Sequence, residues 1–505
     1  MDHFAHTFRH SQIQLSMNLT DVDTMTSTRK EKVPGYPVHA SVEGHLVMIG
    51  FGSIGRGILP LIERHIDYDP ARFTVIDPSD AFAHILQKHG IKHMQVAITE
   101  ENYVQLMQEL FPDGTKGLIV NLSVDVDSTD MMEQAFLRGI PYVDTVCEPW
   151  PGWYFDPSLS SAERCSYPDR QMLKDLQEER KGGPTHVTCC GANPGMVSWL
   201  LKEALTILAA DTGVEANPTT KEDWAKLAMD LGVKGVHIAE RDTQVSARPK
   251  AVGEFVNTWS VDGLINEGFL PAELGWGTHE KKLPPHGHKW ADGPGYAIWI
   301  NRPGSDTLVR SWVPGVGPQL GYVIVHEESL SIPDYYTVND ENGNAIYRPT
   351  CHYAYHPCND AILSLHEIRG TCVIPEKKHI LTAEEIVSGS DDLGVLLYGH
   401  AKGAMWYGTR LSNDEAVKLA PYQNATGLQV SSGVLAAMVW ILENPNQGLV
   451  WADEMDHVRC LEIQKPYLGS VECHYTDWTP VKHRINDFAE DRDNEDPWQF
   501  TNFLA

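Results

Sequence analysis

A glycine-rich segment near residue 50 has the composition and spacing to hold the phosphates of a dinucleotide. The apolar run 45–51 leads into Gly50-Phe51-Gly52-Ser53-Ile54-Gly55, after which helical spacing begins. The glycines permit a tight turn in which a pyrophosphate meets backbone N–H groups, and the helix N-terminus adds partial positive charge. A GxGxxG pattern alone also fits a plain turn, but the strand before it and the helix after it favour dinucleotide binding.

Polar side chains at the ends of later strands extend this predicted site. Asp77 ends the apolar run that begins at residue 73. A carboxylate there accepts hydrogen bonds from the ribose of NAD and repels the 2′-phosphate of NADP, and no arginine follows closely, so NAD is favoured. Asn121, Ser123 and Asp125 lie at the carboxyl end of the fourth strand, where we expect contacts to the ribose or the nicotinamide side.

A second set of residues, farther along the chain, has the chemistry to bind and convert a cationic substrate. Asn193 follows the last predicted parallel strand, near the nicotinamide end of the site. Glu240, Glu267 and the indole of Trp259 attract ammonium groups, and His326 can move the protons that imine chemistry requires. Each also has a structural alternative, since turn asparagines, solvated glutamates, core tryptophans and buried histidines are common.

The cysteines indicate free thiols rather than a metal centre. The segment from Cys351 to Cys358, CHYAYHPC, contains candidate ligands, but it lacks the two CxxC-type pairs of structural zinc sites, so packing is the favoured interpretation and no metal is expected. The chain has nine scattered cysteines, an odd number without a disulfide pattern. Free thiols are typical of a reducing compartment, which predicts a cytoplasmic protein.

Alternating strands and helices predict the domain that positions the first set of residues. The strands are near-continuous apolar runs, as in a parallel sheet covered by helices on both faces. The pattern therefore predicts an α/β fold with a doubly wound Rossmann domain over 43–196. Its strands are predicted at 45–51, 73–77, 94–98, 117–123, 141–146 and 186–192, and its helices at 55–66, 80–90, 101–111 and 128–139.

The remaining chain divides into three predicted parts. Residues 1–42 are polar and aperiodic, which predicts a loose N-terminal extension. Residues 197–423 predict an α+β domain with a largely antiparallel sheet. Residues 424–505 predict a C-terminal helical segment and an acidic surface tail that pack back on the Rossmann domain. Within these parts we expect strands at 307–313 and 321–332, a hairpin at 394–408 and a helix at 431–445.

The charge balance limits the classes of partner. Forty basic against 68 acidic residues give a net charge of −28. Such a surface repels nucleic acid and anionic membranes and attracts cations such as polyamines, although acidic charge also simply keeps proteins soluble. The N-terminus lacks the apolar core of a signal peptide, and we expect no membrane-spanning segment.

Long motifs resemble those of the bacterial homospermidine synthases from His45 onward. Such runs are far more specific than a GxGxxG pattern alone. The matching stretches are MIGFGSIGRG (48–57), VNLSVD (120–125), CCGANPGMVSW (189–199), AMDLGVKGVHIAERDTQ (228–244), VNTWSV (256–261), PAELGWGT (271–278), YRPTCHYAYHPCND (347–360), DLGVLLYG (392–399) and QNATGLQVSS (423–432).

The resemblance implies a reaction, a site and an assembly. NAD takes a hydride from putrescine, the imine exchanges ammonia for a second putrescine, and the hydride returns to give homospermidine without net redox change. The resemblance assigns a cation-binding role to Trp259, carboxylate roles to Glu240 and Glu267, and a substrate-side position to Glu148. It places Asn193 and His326 in the same site. It also implies a homodimer in which 197–423 is the substrate and dimerisation domain.

Three alternatives are distinguishable by simple tests. A saccharopine-type amine or amino-acid dehydrogenase would need basic residues for substrate carboxylates and would accumulate NADH. An NAD-sensing protein without activity would release no ammonia from putrescine. A metal hydrolase using 351–358 would lose activity to chelators.

Overall fold

The structure is a computed structural model that describes residues 33–484 and 492–505. Most of the predicted loose extension, residues 1–32, lies outside the described residues. The last residues of the predicted extension pack against the first domain. The short strand Ala40–Ser41 pairs in parallel with Ile66–Asp67, and Val42 is buried.

The first domain is built on a parallel sheet, which confirms the predicted Rossmann-type fold. Apolar residues fill both faces of its central strands, so helices must cover both sides. In spatial order the strands are Leu449–Val450, His186–Val187, Tyr142–Asp144, Gly117–Asn121, His45–Ile49, Phe73–Ile76 and Lys92–Met94. The flanking helices are Ser53–His65, Ala83–Lys88, Tyr103–Leu110, Ser128–Leu137 and Ser166–Glu179.

Each predicted strand of this sheet is longer than the one observed, and two differ most. The strand expected at 94–98 lies instead at Lys92–Met94. The strand expected at 186–192 ends at Val187, because the chain turns there: Cys189 adopts a φ of 54° and its N–H donates to the Asp144 carboxylate at 2.7 Å. This turn carries the chain into the loop that contains Asn193.

The second domain is built on a mixed sheet that is antiparallel except where Thr350–His356 runs parallel to Gly235–Asp242. The predicted hairpin is confirmed as Ser390–His400 paired with Gly403–Ser412. The order of strands is Gly287–His288, Ala297–Pro303, Pro271–Gly275, Thr350–His356, Gly235–Asp242, Ser390–His400, Gly403–Ser412 and Ser470–Thr476; Gly317–Tyr322 joins Thr350–His356 and pairs with Leu308–Val313.

Smaller elements complete this half of the molecule. Three further strand pairs are Val245–Ser246 with Ile386–Ser388, Glu254–Asn257 with Lys377–Ile380, and Val338–Asn339 with Ala345–Tyr347. The helices are Met196–Thr212, Lys221–Asp230, Val261–Phe269, Glu328–Tyr335, Asn359–Thr371, Asn413–Leu419, Ala425–Glu443, His457–Gln464 and Phe500–Phe503.

The expected strand at 321–332 is wrong beyond residue 322. The strand ends at Tyr322, and the chain then forms helix Glu328–Tyr335. Nearly every residue of this helix is buried. The sequence therefore lacks the 3.6-residue alternation of apolar and polar residues that predicts an amphipathic helix.

The C-terminal region does not pack as one unit on the Rossmann domain. Helix Ala425–Glu443 packs against Ser53–His65, and Leu449–Val450 extends the first sheet. The strand Ser470–Thr476 instead extends the second sheet. Part of the expected surface tail, 485–491, lies outside the described residues, and Phe500 beyond it is fully buried, so the end of the tail belongs to the core.

Helix Ala425–Glu443 corrects the expectation that no segment is long and apolar enough to cross a membrane. It satisfies both criteria, but 89% of the relevant window is buried inside the protein. Its position between the two domains accounts for its apolar composition, because its neighbours on all sides are protein.

Candidate active site

A cavity of about 470 Å³ brings the two predicted sets of residues together. It runs from the carboxyl ends of the first sheet to the strand Gly235–Asp242 of the second. Carboxyl ends of parallel strands are where open α/β sheets bind ligands. The predicted residues that line it are Gly50, Gly52, Ser53, Ile54, Asp77, Ser123, Asp125, Glu148, Asn193, Glu240, Trp259, Glu267 and His326.

The glycine-rich end of the cavity has the shape of a phosphate site. Gly50 has a φ of 88°, and a Cβ added there would lie 2.8 Å from the Leu122 carbonyl oxygen. Gly52 has open space where a Cβ would be, and it precedes helix Ser53–His65 without a side-chain cap. The first N–H groups of this helix therefore face the cavity without a capping side chain, as anion binding requires.

The carboxylate of Asp77 is held at the edge of this turn. Its Oδ2 accepts a hydrogen bond from the Phe51 backbone N–H at 2.6 Å, and its Oδ1 accepts one from Ser79 N–H at 2.8 Å. Each oxygen keeps a further lone pair for a ribose hydroxyl.

Two predicted cofactor residues do not line the cavity and instead support residues that do. Asn121 is buried, and its Oδ1 accepts hydrogen bonds from the Ser123 N–H at 3.2 Å and hydroxyl at 2.7 Å. Gly55 lies against the turn, because an added Cβ would be 2.4 Å from the Gly50 carbonyl oxygen. Asn121 thus orients Ser123, and Gly55 lets the helix approach the turn.

Glu240 is the centre of a buried hydrogen-bond network at the opposite end. Its Oε2 accepts hydrogen bonds from Asn193 Nδ2 at 2.8 Å and from the Tyr353 hydroxyl. Asn193 Nδ2 also lies 2.6 Å from the Tyr353 hydroxyl oxygen. Asp242 and Asp391 lie opposite each other on neighbouring strands behind Glu240, and both are buried.

Ionised carboxylates are unfavourable at the acidic end of the cavity as long as no cation is bound there. Burial raises the pKa of Glu148 to about 8. Burial also raises the pKa of Glu267 and of Glu240, with further rises from neighbouring carboxylates. Among the described residues that line the cavity there is no lysine or arginine. A substrate with ammonium groups would supply the missing positive charge.

Trp259 presents its indole beside these carboxylates. The indole N–H donates to the Tyr355 hydroxyl at 2.9 Å, which fixes the ring. The rings of Tyr353 and Tyr355 stack with centroids 5.2 Å apart. Gly263 makes room for the indole, since an added Cβ would lie 2.9 Å from Trp259 Cζ3. The half-buried indole is thus positioned to contact a cation in the cavity.

His326 lies in the cavity wall as a neutral imidazole. It precedes helix Glu328–Tyr335 rather than lying in the expected strand. Burial lowers the pKa of His326 to about 4, and a hydrogen bond to the Asn193 backbone offsets this only in part. Its Nδ1 lies 3.6 Å from Glu328 Oε2. At neutral pH the ring therefore acts as a hydrogen-bonding group without charge.

Several residues of the site were not singled out from the sequence. Tyr353, Asp262, Gly263 and Thr426 also line the cavity, while Asp391 lies behind it. The alternation of aromatic residues in HYAYH was a usable signal, because it places Tyr353 and Tyr355 on one face of a strand. The other three cavity residues carry no distinctive local pattern.

The segment 351–358 is built into the core. Cys351 is buried in the strand Thr350–His356, and Cys358 precedes helix Asn359–Thr371. Within residues 33–484 and 492–505 there is no group of three or more His, Cys, Asp or Glu side chains that could hold a metal ion. All nine cysteines are free thiols, as predicted.

Comparison with known proteins matches both halves of the chain. Residues 46–187 match the saccharopine dehydrogenase NADP binding domain, and residues 191–476 match the saccharopine dehydrogenase C-terminal domain. The homospermidine synthase of Blastochloris viridis is 55% identical over 472 residues, covering 93% of this chain and 99% of that protein. The homospermidine synthase of Mesorhizobium japonicum is 54% identical over 475 residues, covering 93% and 98%.

A solved structure shows the same architecture. The crystal structure of the homospermidine synthase from Legionella pneumophila, in complex with NAD, is similar to this chain with a TM-score of 0.85 and 38% sequence identity. The match covers 92% of this chain and 98% of that one.

Proposed function

Because the chain belongs to the homospermidine synthase family, we propose that its cavity binds NAD at the glycine-rich end and a diamine at the acidic end. The enzyme transfers an aminobutyl group from putrescine or spermidine to putrescine, forming homospermidine and releasing ammonia or diaminopropane. The observation that carries this proposal is the lining of the diamine end, where acidic side chains gather without a lysine or arginine among the described residues.

The glycine-rich end fits NAD by its own geometry. The open space at Gly52 and the uncapped N-terminus of helix Ser53–His65 suit the pyrophosphate, and Asp77 suits the ribose hydroxyls. Ser123 and Asp125 also line the cavity, and the Asp125 carboxylate lies near that of Glu148. When bound, NAD supplies the chemistry of accepting a hydride from the amine-bearing carbon and later returning it.

Glu240 takes the proton that the reacting amine must lose. A putrescine ammonium has no lone pair, so imine formation requires the neutral amine. The pKa of Glu240 is raised by burial, which makes its carboxylate a better proton acceptor than an exposed one. Hydrogen bonds from Asn193 and Tyr353 orient the carboxylate toward the cavity.

Glu148 and Glu267 bind the ammonium groups that do not react. Both are carboxylates in the cavity wall, and the pKa of each is raised by burial and by the other acidic groups. A bound ammonium relieves this repulsion and favours the ionised carboxylates. Glu148 is also held by the Tyr154 hydroxyl, which donates to its Oε2 at 2.6 Å.

Trp259 stabilises the cationic imine. The indole face attracts a cation without forming a tight ion pair, so the imine carbon stays available to the incoming amine. The neutral imidazole of His326 accepts or donates hydrogen bonds beside it without repelling the cation.

A saccharopine-type dehydrogenase with net NAD reduction is not favoured. Its amino-acid substrates carry carboxylates, which need arginine or lysine partners. The described lining of the cavity contains neither.

One experiment tests the proposed reaction directly. The protein is incubated with NAD and putrescine, and ammonia, homospermidine and net NADH are measured together. We expect ammonia and homospermidine in equal amounts without accumulated NADH. Accumulation of NADH in proportion to ammonia would contradict the transferase and support a net dehydrogenase.

Assembly and location complete the proposal. We place the enzyme in the cytoplasm, which free thiols and an acidic surface support. A homodimer is our proposed assembly, with the second domain as its interface. Sedimentation of the purified protein tests this, and a monomer at working concentration would contradict it.

A further inference from the structure

A second, smaller chamber of about 60 Å³ adjoins the main cavity. Val146, Pro194, Glu267 and His326 line both spaces, so these four residues form the partition between them. A chamber of this volume has room for a few molecules the size of water or ammonia, and none for a diamine.

Acidic groups around the chamber exceed its basic groups. The guanidinium of Arg170 forms ion pairs with the carboxylates of Glu327 and Asp334, and its Nη2 lies 3.1 Å from Asp334 Oδ2. Asp169 also lines the chamber, and its carboxylate makes no hydrogen bond or ion pair with any of the described residues. Burial and the nearby carboxylates of Asp127 and Glu327 raise the pKa of Asp169 to about 7. The chamber therefore favours a small cation.

Buried polar atoms at the chamber wall also lack partners. His326 has a side chain only 4% exposed, and its Nδ1 has no hydrogen-bond partner among the described residues. The Nε–H of Arg170, also in the wall, is likewise buried without a partner, and as a donor it can bind a water molecule or the lone pair of NH₃ but not ammonium. Such atoms normally bind water or a ligand.

We propose that this side chamber receives the ammonia released by the reaction and holds it as ammonium between Glu267 and Asp169. The inference rests on the proposed function. In the exchange step the neutral amine of the second putrescine attacks the iminium carbon and forms a new C–N bond. A proton moves from the new nitrogen to the old one, the old C–N bond breaks, and the products are the substituted iminium ion and NH₃. The NH₃ takes up the proton that the second putrescine lost before its attack and becomes ammonium.

The position of Glu267 makes this route direct. Its carboxylate borders both spaces, so the ammonium formed beside the imine can pass from the main cavity along Glu267 to Asp169. The main cavity is occupied at that moment by the growing triamine. By microscopic reversibility, ammonium that is added in excess reaches the imine through the same chamber, so the exchange step then runs backward.

The test measures the return of ammonium to the imine. Enzyme, NAD and putrescine are incubated with ¹⁵N-ammonium, and ¹⁵N incorporation into putrescine is followed by mass spectrometry as ammonium is varied. In Asp169→Asn we expect the ammonium concentration for half-maximal exchange to rise about tenfold, because one charge-assisted hydrogen bond is lost. The KM for putrescine should stay unchanged.

Matched variants separate binding from structure. Asp175→Asn alters an exposed carboxylate on the same helix, Ser166–Glu179, and should leave the exchange unchanged. Asp169→Ser replaces Asp169→Asn if the latter does not fold. A half-maximal concentration in the Asp169 variants equal to that of the wild type would overturn the proposal and leave the chamber as a water pocket. Wild-type enzyme that yields neither homospermidine nor exchange would instead refute the proposed function.

Discussion

Replacement of Glu240 by glutamine is the perturbation whose outcome the structure specifies most fully. Glutamine has the same shape, and its side-chain oxygen can still accept the hydrogen bonds from Asn193 and Tyr353. The variant therefore removes the negative charge and the ability to accept a proton while keeping the local packing. Asp242 and Asp391 behind it lose a repulsive neighbour, so we expect no loss of folding stability.

The size of the effect follows from the interactions that are lost. A hydrogen bond to a charged group contributes about 1.5–3 kcal/mol, which corresponds to roughly ten- to a hundredfold in kcat/KM for putrescine. Loss of proton acceptance adds a further factor of about a hundred or more in kcat. NAD binding should not change, because the glycine-rich end lies at the other end of the cavity.

The pH dependence provides the sharper test. Burial raises the pKa of Glu240 above the usual carboxyl range. As pH falls, the wild-type carboxylate therefore becomes protonated at a higher pH than an exposed glutamate does. The wild type should therefore lose kcat/KM at higher pH than an exposed glutamate would dictate, and Glu240→Gln should lack this limb. The assay is homospermidine formation across pH, with the exposed Glu341→Gln as control. Wild-type kcat/KM and an unchanged pH profile in Glu240→Gln would refute the assigned role.

Three further predictions address the other parts of the site. Trp259→Ala should lower turnover about thirtyfold, as expected for a desolvated cation–π contact of about 2 kcal/mol, with NAD binding retained; unchanged turnover would remove Trp259 from the mechanism. Asp77→Ala should raise the Kd for NAD about tenfold in calorimetry, and an unchanged Kd would contradict ribose recognition. Burial raises the pKa of Glu148 to about 8, so the folded protein holds this side chain as a neutral carboxyl more readily than the unfolded chain does. The contribution of this group to folding stability is therefore fully present below pH 4.5, the ordinary pKa, and is lost as pH rises through 8. Glu148→Gln should therefore raise the Tm in alkaline buffer but not in mildly acidic buffer; an equal shift in both would contradict the buried carboxyl.

Local patterns were sufficient to predict the nucleotide-binding half of the protein. The strand before Gly50 and the helix from Ser53 have the alternation expected of a parallel sheet, and both elements are confirmed. Strand ends were harder to predict, because a turn such as that at Cys189 depends on a bond to Asp144, which is distant in sequence.

The substrate half depends on contacts between distant segments. Glu240 and Tyr353 are brought together by the parallel pairing of two strands that no local pattern predicts. The resemblance to a known family pointed to the residues, and the structure supplies their neighbours. The burial of Phe500 was missed because an acidic segment precedes it and the sheet face that it covers belongs to another part of the chain.

In the proposed reaction, one hydride leaves the diamine and returns to it within a single cavity. Putrescine deuterated at both amine-bearing carbons, with unlabelled NAD in ordinary water, tests this directly by mass spectrometry of the homospermidine formed. We predict that the deuterium taken from the donor carbon is returned, even when unlabelled NADH is added in excess. Replacement of that deuterium by hydrogen would show that the reduced cofactor exchanges with solution and would contradict the account.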